Sequence, residues 1–146
     1  MDFPRFNIDK GEEMNGRSFR DLRIWQNGKD LAIETYKLTK EFPRQEEFGL
    51  TSQMRRASVS IAANIAEGFN RDQAKEFKRY LHIALGSCAE LETFIEIAKD
   101  LNYISSDHCQ DFLLKIGVES KMIMSYIKRI AVYHQPSTIT HQQGHF

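Results

Sequence analysis

The chain has 146 residues, 41% of them hydrophobic, with only eight Gly and three Pro, which suits one compact domain with its own core and excludes collagen-like and disordered classes. Twenty Lys and Arg balance twenty Asp and Glu, so the whole-chain basic excess that holds duplex nucleic acid by charge alone is missing. Two cysteines, Cys88 and Cys109, are too few for a disulfide scaffold and predict a reducing, cytoplasmic setting.

Residues 1–18 carry Gly11, Asn15 and Gly16 without sustained periodicity and read as a flexible N-terminal tail. The opening MDFPRFNIDK lacks the basic-then-apolar order of a signal peptide. A first helix is expected from about Arg20 to Glu41, with Ser18 or Asp21 near its start and Pro43 beyond its end. Its apolar seam reads Leu22, Trp25, Ala32 and Tyr36, flanked by Ile24, Leu31 and Leu38. The segment 42–50, FPRQEEFGL, reads as a loop pinned to the core by Phe42 and Phe48.

A second helix is expected with Thr51 or Ser52 as N-cap, running to about Phe69. A third spans about Asp72 to Asn102, with Phe77, Leu81, Ala84, Cys88, Leu91, Ile95 and Ala98 spaced by threes and fours. The fourth opens at Ser105 or Ser106 and runs to about Val132 through Cys109, Phe112, Ile116, Ile123, Tyr126 and Ile130. Residues 133–146 are polar and rich in His and Gln, a second flexible tail. No apolar run reaches the roughly 18 residues of a membrane span. Four helices joined by short turns predict an all-α, antiparallel up-and-down four-helix bundle over residues 19–132.

Two helix faces exceed what one bundle core needs. On the third helix Ile83, Phe94, Ile97 and Leu101 lie beside the main seam, and on the second Ala57, Ser58, Ala62, Ala63, Ala66 and Gly68 keep several faces small. Either the core is thick or a second copy of the chain covers these faces. Gly86, a mid-helix cost of about 1 kcal/mol against Ala, predicts that another helix crosses there.

Charge is segregated. Residues 51–80 hold six basic and three acidic side chains, residues 81–111 one and six, and residues 112–146 four and one. Arg55, Arg56, Arg71, Lys75, Lys78 and Arg79 form a candidate nucleic-acid surface with Phe69 and Tyr80 among them; Lys75, Lys78 and Arg79 share one helix face that can follow phosphates without reading bases.

Arg56, Ser60, Asn64, Glu67 and Arg71 recur at intervals of four, four, three and four, a polar stripe whose members can satisfy one another and fix helix register. Ser87 and Glu90 extend this candidate network onto the third helix, where Glu90 falls near the core seam and calls for a basic partner such as Arg56 or a base of a neighbouring protomer. Lone Glu67 with Asn64 and Ser60 lacks the second acid or His of general acid–base catalysis. His82, Cys88, His108 and Cys109 have no metal-ligand spacing, no ExxH motif occurs, and GxxxxGK and GxGxxG are absent. No enzyme, metal or cofactor is therefore expected, and both cysteines read as small core residues.

The strings FRDLRIWQNGKDLAIETYKLTKEFP, FGLTSQMRRASVSIAANIAEG and AKEFKRYLHIALGSCAELE resemble the bacterial four-helix bundle proteins named for open reading frames inside 23S rRNA intervening sequences. The resemblance spans about residues 19–131, with Ala62 where the family usually has Pro. It implies a bundle that assembles into a ring, typically a homopentamer, without known catalytic activity. It also implies kinship with the accessory variability determinant proteins of diversity-generating retroelements, which bind a reverse transcriptase together with structured RNA. By position, Arg55, Arg56, Ser60, Asn64, Glu67, Gly68, Gly86, Ser87 and Glu90 carry the family motif, in a chiefly architectural role. Two function classes are thus expected: a ring-forming scaffold that contacts RNA, and an adaptor that docks a protein such as a reverse transcriptase.

Overall fold

The computed structural model describes residues 18–133. Both expected tails, except for residues 18 and 133 themselves, lie outside that range. Four helices follow a short 3₁₀ turn at Phe19–Asp21: α1, Arg23–Thr39; α2, Leu50–Asn70; α3, Ala74–Asp100; and α4, Ser106–Tyr133. No strand occurs among the described residues. The expected all-α four-helix bundle is therefore the fold.

Cross-helix contacts give the register. Along α1 and α4, Glu34 meets Lys115, Gly28 faces Glu119 and Asn27 reaches Met122, so the numbers fall on one helix as they rise on the other. Arg55 at the start of α2 bonds Thr39 at the end of α1, and Gly68 near the end of α2 packs on Tyr80 near the start of α3. The helices alternate in direction, up and down. Of the four contacts between neighbouring helices, α2–α3 is the most extensive and α1–α4 the least.

Local chemistry sets the helix ends. Ser18 and Asp21 form a capping box, in which Asp21 Oδ2 accepts the Ser18 N–H at 3.2 Å while Ser18 Oγ accepts the Arg20 N–H at 3.2 Å. Thr51 and Ser52 do not cap α2, contrary to expectation; the helix opens two residues earlier because Glu46 Oε2 accepts the Leu50 N–H at 2.9 Å. Asn102 sits at φ 62°, and Tyr103 N–H returns to Ala98 O at 2.9 Å. This left-handed turn closes α3 sharply enough for α4 to start within a few residues. Ser105 Oγ accepts the His108 N–H at 3.1 Å, an N-cap for α4.

The core runs the length of the bundle, with Met54, Ile61, Ile65, Leu81, Leu91, Ile95, Ile116 and Ile123 fully buried. Phe69, Phe77 and Tyr126 join α2, α3 and α4 edge to face, with centroids 6.1 and 5.7 Å apart. Cys88 and Cys109 are buried, and burial pushes the Cys88 thiol up to about 12.

Two sequence expectations are corrected, and one that was open is narrowed. The buried line of α1 is Ile24, Gly28, Leu31, Thr35 and Thr39, one step away from the expected seam, while Tyr36 is 43% exposed. Thr35 and Thr39 can line a core because each hydroxyl donates to the carbonyl four residues back, at 2.7 and 2.8 Å. Phe42 is buried against Tyr103 as expected, but Phe48 is 92% exposed and does not pin the loop to the core among the described residues. The apolar set Ile83, Ile97 and Leu101 stays outside the core, and only Phe94 packs partly against it.

Candidate nucleic-acid interface

The turn between α2 and α3 brings Arg71, Lys75, Lys78 and Arg79 to one end of the bundle, with Arg71 and Arg79 beside Tyr80. Tyr80 itself is buried on Gly68, which leaves its hydroxyl and ring edge for polar partners. The Tyr80 hydroxyl donates to Glu67 Oε1 at 3.2 Å, and Arg71 Nη2 reaches both the same carboxylate, at 3.3 Å, and the Tyr80 oxygen, at 3.2 Å. The Arg71 and Arg79 guanidinium carbons stand 5.5 and 4.6 Å from the Tyr80 ring centroid. Arg79 also pairs with Glu76 at 3.1 Å, and its guanidinium holds the Glu76 carboxyl below the usual carboxylate range. Lys75 and Lys78 form no salt bridge among the described residues.

The six basic candidates do not form one cluster. Arg55 and Arg71 are about 24 Å apart along α2 at a rise of about 1.5 Å per residue. Arg55 is half-buried, its Nε–H donating to Thr39 Oγ1 at 2.9 Å and its guanidinium 4.5 Å from the Tyr36 centroid. Arg56 is exposed near that same end.

The polar stripe is largely assembled. Ser60 and Ser87 are joined by a 2.6 Å hydrogen bond across α2 and α3, and Asn64 Nδ2 donates to the Ser60 carbonyl at 2.7 Å. Glu90 does not belong to it. It is exposed, and among the described residues no salt bridge joins it to Arg56. Nor does a helix cross at Gly86, where a Cβ would meet nothing within 4 Å.

The buried acid is Glu119 on α4, which sequence reasoning passed over. Its relative exposure is 0%, and neither carboxyl oxygen has a hydrogen-bond partner among the described residues. A Cβ on Gly28 would lie 3.0 Å from Glu119 Oε2 and 3.2 Å from an Ile61 methyl, so the missing side chain of α1 makes the room the carboxyl occupies. Burial pushes its pKa up to about 8. The signal was present: the α4 seam steps by threes and fours except between Ile116 and Ile123, and position 119 fills the gap.

A family model described as 23S rRNA-intervening sequence protein matches residues 20–125. The chain belongs to that family. The match takes in α1, α2, α3 and most of α4, including the Tyr80 surroundings and Glu119. Among solved structures, a protein with unknown function from the S23 ribosomal protein family of Bacteroides thetaiotaomicron is similar, with a TM-score of 0.67 at 24% identity, covering 72% of this chain and 95% of that one. At that identity the likeness concerns the fold. No curated protein matches the chain.

Among the described residues no group of three or more His, Cys, Asp or Glu could hold a metal ion, and no helix is long and apolar enough to cross a membrane.

Proposed function

We propose that this family member is a non-catalytic scaffold that contacts RNA through the α2–α3 end of the bundle. One observation carries the reading. Among the described residues Lys75 and Lys78 stand without salt bridges beside two arginines stacked on Tyr80, so these four cations outnumber Glu67, Asp72 and Glu76 and this end keeps a net positive charge in a chain whose total is zero. Glu67 and Glu76 neutralise Arg71 and Arg79 in part, which leaves the two lysines as the main phosphate contacts. Nothing in the arrangement reads bases; structured RNA is held by shape and charge. Assembly of copies into a ring, which the family resemblance implies, would repeat this modest patch around an axis and strengthen its field.

The test is salt-dependent binding of a labelled structured RNA. Wild-type protein binds at low salt and releases as salt rises, and Lys75→Glu/Lys78→Glu/Arg79→Glu lowers affinity by more than about tenfold. No wild-type binding at low salt, or equal binding by the variant, overturns the reading. A second reading, an adaptor that docks a protein such as a reverse transcriptase, is favoured by the outward apolar residues Ile83 and Ile97 of α3 and Leu101 just after it.

A further inference from the structure

At the opposite end of α2 the loop after α1 folds over a cleft of about 370 Å³. Lys40, Arg44 and Arg55 line it with Thr39, Thr51 and the single acid Glu47. Three cations against one carboxylate leave the lining positive. Lys40 and Arg44 form no salt bridge among the described residues. The neighbouring acid Glu46 keeps its charge but is directed away from direct pairing with them, its Oε2 accepting the Leu50 N–H at 2.9 Å and its Oε1 the Tyr103 hydroxyl at 3.1 Å.

Arg55 is the preorganised element. Its Nε–H is held by Thr39 Oγ1 at 2.9 Å, and that hydroxyl is itself tied to the Thr35 carbonyl at 2.8 Å. The Tyr36 ring supports the guanidinium plane. The anchoring bond uses only the Nε–H, so the four N–H donors on the terminal nitrogens are not consumed by it. A side chain fixed this way gives up little entropy when an anion arrives.

We propose that this cleft binds a phosphate group, with Arg55 as the fixed donor and Lys40 and Arg44 closing on the anion from the exposed rim. The inference does not rest on the RNA reading, because the group could belong to a small phosphorylated molecule or to the end of a nucleic acid. Isothermal titration calorimetry with inorganic phosphate, and with a short oligoribonucleotide bearing either a 5′-phosphate or a 5′-hydroxyl, distinguishes the sources. Lys40→Gln/Arg44→Gln is the diagnostic variant, since both side chains are exposed and can be changed without disturbing the core.

Binding of inorganic phosphate that weakens at least tenfold in that variant supports a free anion site. A preference for the 5′-phosphorylated strand that vanishes in Lys40→Gln/Arg44→Gln but persists in Lys75→Glu/Lys78→Glu/Arg79→Glu supports a nucleic-acid end, and separates this site from the α3 face. Absence of both the phosphate binding and the 5′-phosphate preference overturns the proposal. So does either signal persisting undiminished in the cleft variant.

Discussion

Glu119 lies among apolar side chains with no hydrogen-bond partner for either oxygen, so its charged form is penalised and the carboxyl keeps its proton near neutrality. Gly28 and Ile61 face it from α1 and α2 without charge, and on α3 the buried Cys88 thiol, itself pushed up by burial, interacts with it electrostatically. The folded pKa of about 8 stands above the ordinary carboxyl value of 4.5. The folded chain therefore holds a proton that the unfolded chain has released between those values, and stability falls as pH rises through that window. One proton gives a slope of about 1.4 kcal/mol per pH unit. Glu119→Gln should match wild type near pH 4.5 and exceed it increasingly up to pH 8 in denaturant unfolding; a constant difference across the range would refute the protonated core carboxyl. Glu90 had looked like the buried acid because it neighbours Leu91 in sequence. Its own direction on α3 is outward, and only the broken rhythm of the α4 seam marked Glu119.

Between elements, α2 and α3 pack tightly where Gly68 lies under Tyr80. A Cβ at Gly68 would stand 2.5 Å from Tyr80 Cβ and 3.0 Å from Phe77 Cδ2, and a Cβ cannot rotate away as a side-chain tip can. Gly68→Ala should cost about 1–3 kcal/mol as the helices are forced apart. Gly117→Ala on α4, where a Cβ would meet nothing within 4 Å, should instead gain up to about 1 kcal/mol of helix propensity. Thermal unfolding of the two variants checks the contrast, and equal midpoints would contradict the close approach. The seams of α3 and α4 were legible because their buried positions are almost all apolar. The seam of α1 was not. Gly28, Thr35 and Thr39 hold three of its five buried positions, and hydroxyls that bond back to the helix carbonyls are invisible to a hydrophobic pattern. Phe48 was misread for the opposite reason, since a Phe in a loop is presumed to seek the core whereas this one lies 92% exposed.

For the whole molecule, the zero net charge conceals a basic stretch at 51–80 and an acidic one at 81–111, and the fold places the turn between α2 and α3 inside the basic stretch. The acidic stretch coincides with an outward face of α3 on which Ile83, Gly86, Glu90, Ile97 and Leu101 follow one another at spacings of three, four or seven residues. Ile83, Ile97 and Leu101 are 40%, 42% and 49% exposed, too regular a stripe for scattered surface apolar residues. The pattern was readable in the sequence, but whether the face joined the bundle's own core was not, because helix periodicity gives a direction and not the occupant. The structure leaves it outside. A second copy packed on this stripe would cover the apolar side chains and use the open space at Gly86. Ile97→Glu/Leu101→Glu is then expected to convert an assembly into a 17.0 kDa monomer by light scattering, with its helical circular dichroism retained, since neither residue is in the core. Wild-type protein that already scatters as a 17.0 kDa species would show that copies of the chain do not cover this face, and would leave the patch of Lys75 and Lys78 to act singly, with a correspondingly shallower salt dependence of RNA binding.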